Sequence, residues 1–302
     1  YDDFPEGEHY LQLSQTEKDM VDMVCDNFDD VIVIYNGANQ FELGFTDEYP
    51  QIKSVVWCPG TGNVGFNALG KVFSGEVNPS GKTPDTFIYD MTTAPWWNNG
   101  EKIEYTNLAD MAVEGMNAGS PQVYAPAFTN YVEGIYVGYK YYETAAQEGF
   151  IDYDKTVQYP FGYGLSYTEF EQKMGELEEK DGQISVDVEV TNSGDVAGKD
   201  VVEVYYNPPY TNGGIEKASA NLIEFAKTDL LQPGDSQTVT VTFDVEDMAS
   251  YDENDAEAYV LEKGDYVISI NRDSHTVLDQ KTYTVDDTVV YAGENKRASD
   301  DT

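Results

Sequence analysis

The chain has 302 residues, enough for two domains of ordinary size. Lys and Arg number 17 against 56 Asp and Glu, and the formal charge of −39 excludes partners that need a positive footprint, nucleic acid and anionic membrane surfaces. The apolar fraction is 40%, but 24 Tyr, 13 Phe and 3 Trp supply enough core volume to exclude a disordered chain, and no stretch approaches the ~20 apolar residues of a membrane-spanning helix.

Ser14 followed by Glu17 is a capping box, and Met20, Val21, Val24 and Phe28 recur behind it at helical spacing. Val31–Tyr35 is a short β-branched run of the kind buried on both faces of a parallel sheet, ended by Asn36-Gly37. Ile52–Trp57 is a second such run, stopped by Pro59-Gly60, and residues 65–73 read as a helix stopped by Ser74-Gly75. Strand, loop, helix and strand in this rhythm predict an open α/β sandwich. Its ligand side is expected beyond the carboxyl ends of the strands, in loops 36–45 and 58–65. Residues 89–131 are irregular and too long for an ordinary connection, so they are expected to cover a site or wrap a neighbour. Within them, Trp96 and Trp97 are candidates for a sugar-stacking platform, although an adjacent Trp pair more often pins a loop to the body of a protein.

The second half changes to a period of two. Ile184, Val186, Val188 and Val190 alternate with Ser185, Asp187 and Glu189, and Val201, Glu203 and Tyr205 continue the pattern. Further strands are expected over residues 219–226, 236–244, 264–271 and 281–285, separated by turns such as Pro233-Gly234-Asp235. This is the grammar of a β-sandwich of immunoglobulin or fibronectin type III kind, and the lack of a Cys…Trp…Cys pattern excludes an antibody-type domain. The domains are expected at 1–172, for the α/β sandwich with its first strand missing, and 173–290, for the all-β sandwich. The boundary lies near 171–182, where charge and Gly replace apolar residues, and residues 291–302 read as a polar linker or arm.

Cys25 and Cys58 form neither a disulfide framework nor a metal-ligand pair and are expected as buried free thiols. His9 and His275 are too far apart in sequence to suggest zinc. The acidic run Asp252, Glu253, Asp255 and Glu257 lacks the Gly-anchored pattern of a calcium loop. No metal and no cofactor are expected, and composition leaves the compartment open between the cytoplasm and the outside or surface of a bacterial cell.

Three stretches carry a family resemblance. Gly75-Glu76-Val77-Asn78-Pro79-Ser80-Gly81-Lys82, with Pro84, Asp85 and Thr86 in register, resembles the G-x-x-N-P-S-G-K-L-P-x-T element of family 3 glycoside hydrolases; Thr83 stands where Leu is usual. Residues 131–142, from Tyr131-Val132-Glu133-Gly134 to Lys140-Tyr141-Tyr142, are similar to Y-x-E-G-I-Y-V-G-Y-R-Y-Y. Tyr159-Pro160-Phe161-Gly162-Tyr163-Gly164-Leu165-Ser166-Tyr167-Thr168 matches Y-P-F-G-Y-G-L-S-Y-T, and residues 192–205 resemble a segment of the family's fibronectin-type domain. The bottom-up reading of the Asn78–Gly81 turn and of the Tyr136–Tyr142 aromatics is structural: a sharp reversal, and core or domain seam.

The resemblance implies a retaining, exo-acting β-glucosidase or β-xylosidase acting on terminal β-linked sugars of an oligosaccharide or glycoside. In such an enzyme one carboxylate attacks the anomeric carbon and a second carboxyl protonates the leaving oxygen. It also implies that the nucleophilic Asp lies in a (β/α)8 barrel, for which these residues hold neither the repeats nor the ~250 residues required. The chain is therefore expected to be an accessory part, inactive alone and partnered by the barrel. The polar tail fits a permuted domain order with the barrel downstream. The family's general acid is implied just before the first helix, so the chain is expected to begin just beyond it. Glu6 and Glu8 are the candidates for that acid within these residues, and Asp3 and His9 the candidates for bordering the sugar site. Two other readings stand beside this one: a carbohydrate-binding or cell-surface module using Trp96, Trp97 and the Tyr-rich loops, and an adhesin-like structural sandwich.

Overall fold

The computed structural model describes residues 7–99, 103–117, 120–124 and 127–297. Contacts divide the chain into two units, one of Tyr1–Tyr89 with Ile135–Thr302 and one of Asp90–Gly134.

The first unit opens with helix α1 (Gln15–Asn27). Ser14 Oγ accepts the Glu17 amide at 3.4 Å and the Glu17 carboxylate accepts the Ser14 amide at 2.8 Å, so the expected capping box closes reciprocally. Strands β1 (Val31–Tyr35) and β2 (Ile52–Trp57) run parallel, with Val33 opposite Val55 and Tyr35 opposite Trp57. The expectation of burial on both faces fails: Ile32 and Ile34 are 51% and 43% exposed. Among the described residues this sheet has only these two strands, so the pleat leaves one face of β1 uncovered. Helix α2 (Phe66–Phe73) and the short strand β3 (Phe87–Ile88) follow.

The second unit corrects the reading of an irregular loop. It holds β4 (Ile103–Glu104), α3 (Leu108–Met111), β5 (Val113–Asn117), β6 (Ser120–Tyr124) and β7 (Ala127–Phe128). β5 pairs with β6, and β4 pairs with β7 outside them, so the two antiparallel pairs nest within one excursion of the chain.

Back in the first unit come α4 (Tyr139–Gln147), α5 (Tyr153–Thr156) and β8 (Val157–Tyr159), the last pairing antiparallel with β3. The all-β half then builds β9 (Phe170–Lys180), β10 (Gln183–Asn192), β11 (Val201–Asn207), β12 (Asn221–Lys227) and β13 (Ser236–Asp244). It ends with β14 (Ser250–Asp252), β15 (Ala258–Leu261), β16 (Gly264–Asn271), β17 (Val277–Val285) and β18 (Val289–Tyr291). The sheets run β13-β10-β9, β12-β11-β16-β17 and β14-β15-β18. Ile184, Val186, Val188 and Val190 of β10 are at most 1% exposed and share a core with Val202, Val204, Ile268 and Ile270. The charge-rich stretch expected as a boundary is β9 itself. It is an edge strand whose Glu and Lys side chains face water, joined to β10 through Asp181 and Gly182 at φ 54° and 82°, the left-handed pair of a tight hairpin. The polar tail is not a free arm as far as Arg297: Tyr291 pairs with Tyr259, whose ring lies 3.3 Å beneath the Arg297 guanidinium.

β11 has no side open to water. Val202 and Val204 enter the sandwich core, while Glu203 and Tyr205 on the opposite face are 4% and 1% exposed. The family motifs lie there. Gly162, at φ 81°, sits so close that a Cβ would stand 2.4 Å from Glu203 Oε2, and a Cβ on Gly164 would stand 2.2 Å from the Gly81 carbonyl oxygen. Asn78 Oδ1 accepts Ser166 Oγ at 2.9 Å and the Tyr167 amide at 2.8 Å, while Nδ2 donates to the Ala197 carbonyl at 3.1 Å. Thr83 uses the hydroxyl that Leu would lack, donating to the Pro160 carbonyl at 2.7 Å and accepting the Tyr163 amide at 3.0 Å. Tyr139 stacks on Phe161 at 4.6 Å and accepts the Leu222 amide at 2.8 Å, which makes the aromatic run a seam between the two folds.

Gly162→Ala is expected to destabilise the chain by about 2 kcal/mol or more, because it adds left-handed strain to a backed-up Cβ. An unchanged urea midpoint would refute the close approach. Burial pushes the Glu203 carboxyl up to about 7, against the opposing pull of Lys82 and of the Tyr205 hydroxyl, which donates at 2.9 Å. The unfolded carboxyl titrates near 4.5, so the folded state holds the extra proton, and this contribution to stability is complete below pH 4.5 and lost on rising to about 7. The loss amounts to about 3 kcal/mol. Urea unfolding across that range should show a steeper decline for the native chain than for Glu203→Gln, and equal declines would contradict the assignment.

Candidate functional site

The two parallel strands end at Tyr35 and Trp57, and their continuations are tied together at once. The Cys58 amide donates to the Tyr35 carbonyl at 2.9 Å and Trp57 Nε1 donates to the Gly37 carbonyl at 2.7 Å. The β1 loop then turns to meet the segment ahead of α1, where the Glu42 amide donates to the Leu11 carbonyl at 2.8 Å. The polar side chains of both segments gather here, at the carboxyl ends of the strands, as the sheet geometry leads one to expect.

His9 is the hinge of this cluster. Its Nδ1 accepts the Leu11 amide at 3.3 Å, which leaves the proton on Nε2, 3.3 Å from Glu42 Oε1. Glu8 lies beside it with Oε1 3.4 Å from Lys18 Nζ on α1 and with Oε2 buried and lacking a protein partner. On the other side of Glu42, the buried Gln40 donates through Nε2 to Asp85 Oδ1 at 2.5 Å, and the Thr86 amide donates to the same oxygen at 2.9 Å. Burial raises the Asp85 carboxyl above its ordinary range, and these two donors hold it partly back. Gln40 Oε1 and Thr86 Oγ1 are also buried without protein partners. These contacts use three carboxylates, one lysine and one imidazole. Such a set is suited to hydrogen-bonding hydroxyls and unsuited to an anion.

The structure thus joins Glu8 and His9 to one cluster. Asp3 and Glu6 lie outside the described residues. Trp96 and Trp97 belong to the second unit. Their rings are 6.1 Å apart and tilted by 49°, so they do not form one flat platform. The Asn99 amide donates to the Trp96 carbonyl at 2.9 Å and Asn99 Nδ2 to Glu133 Oε2 at 2.5 Å, which fixes their loop inside that unit. Sequence reasoning pointed to loop 36–45 as the ligand side but did not single out Gln40 or Glu42 within it, and it quoted Asp85 only as part of a motif. The available signal was polar residues in a loop at a strand's carboxyl end. The acidic run near 252 has a local use, since the Asp252 carboxylate accepts the amides of Asn254, Asp255 and Ala256 at 3.1–3.2 Å.

Comparison with known proteins is consistent from both ends of the chain. Residues 3–139 match the glycosyl hydrolase family 3 C-terminal domain, and residues 200–274 match a fibronectin type III-like domain. A beta-glucosidase of Ruminococcus albus is 34% identical over 284 residues, covering 92% of this chain and 26% of that protein. Beta-glucosidase A of Butyrivibrio fibrisolvens is 36% identical over 283 residues, covering 87% of this chain and 30% of that protein. Among solved structures, beta-glucosidase 3B from Thermotoga neapolitana in complex with alpha-D-glucose superposes with a TM-score of 0.77 at 29% identity, covering 94% of this chain and 35% of that one. The chain therefore spans about a quarter to a third of the length of the relatives it matches.

Gln40→Leu is expected to raise the titration midpoint of Asp85 further, because the desolvated carboxylate keeps only the Thr86 donor. A side-chain carbon NMR titration reads this directly, and a midpoint that stays or falls would show that Gln40 does not hold the charge.

Proposed function

This chain belongs to glycosyl hydrolase family 3, with a C-terminal-type domain ahead of a fibronectin type III-like one, and we propose that it walls one side of the sugar site in a retaining β-glycosidase. The observation that carries the reading is the pair of polar contacts beyond the strand ends, His9 on Glu42 beside Glu8 and Gln40 on Asp85. Its proposed substrate is the terminal β-linked glucose or xylose of a glycoside or oligosaccharide. The relatives' names support glucose.

A retaining glycosidase needs two carboxyl groups about 5–5.5 Å apart across the anomeric carbon. Among the described residues no (β/α)8 barrel is present, since the strands form sheets of two, three and four. The attacking Asp is accordingly assigned to a barrel elsewhere in the working enzyme. This chain's own contribution is positional. Lys18 anchors the segment that carries Glu8. Glu42 orients the His9 ring with its proton on Nε2. Gln40 Oε1 offers an acceptor and Thr86 Oγ1 a hydroxyl to sugar hydroxyls. Glu8 is the proposed proton donor of this cluster, and its second oxygen, which has no protein partner, supports that assignment. The uncovered Ile32 and Ile34 on β1, with Met20 and Met23 of α1 at 54% and 64% exposure, support docking of further polypeptide against this half.

The test is hydrolysis of p-nitrophenyl β-D-glucoside by the chain alone and by the chain fused to the barrel portion of the Ruminococcus albus relative. Turnover should be absent from the first and present in the second. His9→Ala in the fusion should raise KM or lower kcat by about tenfold, the weight of one oriented hydrogen bond. Turnover by the chain alone would overturn the division of labour.

A further inference from the structure

A cleft of about 550 Å³ opens between α4 and the face of the sandwich formed by β11, β16 and β17. It adjoins a second cavity of about 360 Å³, and Gln147, Asn207 and Ser219 line both. All of this lies well along the chain from the residues of the candidate sugar site and shares none of them.

The larger lobe is lined by amides and hydroxyls, Asn207, Ser219, Ser269, Asn271 and Gln280 among them. Asn271 is 2% exposed and its amide oxygen has no protein partner. The one carboxylate here is already satisfied. Glu143 accepts the Tyr153 hydroxyl at 2.7 Å, Ser274 Oγ at 2.8 Å and His275 Nδ1 at 2.8 Å, and the Tyr153 ring lies flat on His275 at 3.6 Å. Charge in this lobe is therefore balanced internally.

The smaller lobe is aromatic, with Tyr136, Tyr141, Tyr210 and Phe150 on its walls. Phe150 is 81% exposed, an apolar ring held out in water at the mouth of a cavity. Two carboxylates sit beside these rings. Glu216 accepts the Tyr136 hydroxyl at 2.5 Å, and Glu148 also lines the lobe. The single cation is Lys217, 5% exposed, and its ammonium is taken up by Glu262 and by the Pro209 carbonyl at 2.6 Å.

We propose that this two-lobed cleft is a binding site for a neutral oligosaccharide, separate from the candidate sugar site. Amides and hydroxyls match the mixed donors and acceptors of sugar hydroxyls, and aromatic walls accept the apolar faces of sugar rings. Two adjoining lobes that share lining residues call for a ligand of more than one ring, and their volumes lie in the range of built ligand sites. The unpaired carboxylates and the spent lysine exclude uronic acids, phosphates and other anions. The site would hold the protein on a saccharide chain while chemistry proceeds elsewhere.

The experiment is calorimetric titration of the 302-residue chain with neutral tetrasaccharides (cellotetraose, xylotetraose, mannotetraose and maltotetraose) and with tetragalacturonate. At least one neutral tetrasaccharide should bind with a Kd of about a millimolar or tighter, and tetragalacturonate should not bind. Asn207→Ala, at a residue lining both lobes, should weaken binding about tenfold. Phe150→Ala, a surface change with no packing to lose, should weaken it independently if the first variant folds poorly. Hydrogen exchange with sugar present should slow over residues 205–207 and 267–280. Absence of binding by every neutral sugar, equal binding of the galacturonate, indifference to both variants, or protection confined to residues 36–45 would each overturn the proposal.

Discussion

The constraint on which this molecule turns is that strand β11 has two buried faces. One face is ordinary: Val202 and Val204 complete the apolar core between the sheets. The other carries Glu203 and Tyr205 into contact with the helical half of the same unit. A carboxylate in that position needs backbone close by, no side chain in the way and a positive charge within reach. Gly162 supplies the first two, and Lys82, which donates to the Arg272 carbonyl at 3.1 Å, lies near enough to lower the Glu203 titration. The motifs that mark the family follow from this. Asn78, Gly81, Thr83, Gly162 and Gly164 are where two backbones touch or exchange hydrogen bonds, and none of them needs to meet a sugar.

That seam matters because the two folds are unequal. The described apolar core is concentrated between Met174 and Val285, in the sandwich. The α/β half has a two-stranded parallel sheet with an open face and a handful of fully buried side chains such as Leu43, Phe87 and Ile88. A sheet of two strands is marginal by itself. The α/β half is held in shape by docking on the sandwich through Tyr139, Phe161 and the Asn78 turn, so the fibronectin-type domain acts on the candidate site through stability. The site is then fixed locally by short bonds that cross from one loop to the next: Leu11 to Glu42, His9 to Glu42 and Gln40 to Asp85.

Local chemistry made much of this legible in the sequence. The Ser14–Glu17 box, the alternation from Ile184 to Val190 and the strand at Ser236–Asp244 are decided by neighbours within a few residues, and each forms as read. The failures have a common cause. The burial of both faces of β11 went unread because alternation reports one covered face and is silent about a second. Ile32 and Ile34 read as doubly buried because β-branched runs of that kind occur in wide parallel sheets, and width is a property of partners rather than of the run. The β9 stretch reads as a boundary because edge strands carry charge for the same reason linkers do, contact with water. Gln40 and Glu42 went unnamed because a hydrogen bond from Gln40 across 45 residues leaves no local pattern.

The electrostatics give the arrangement its remaining logic. With 17 cationic side chains against 56 acidic ones, a cation is a scarce resource, and the buried or seam-facing lysines are not spent chiefly on carboxylates. Lys82 donates to the Arg272 carbonyl, Lys227 to the Ser80 carbonyl at 2.8 Å, and Lys217 to the Pro209 carbonyl as well as to Glu262. A lysine that satisfies a backbone oxygen does by geometry what an exposed ion pair does by Coulomb attraction alone, and salt screens it less. The seam can therefore stay closed in a chain whose surface repels itself, and the same surplus of acid disfavours anionic polymers as partners.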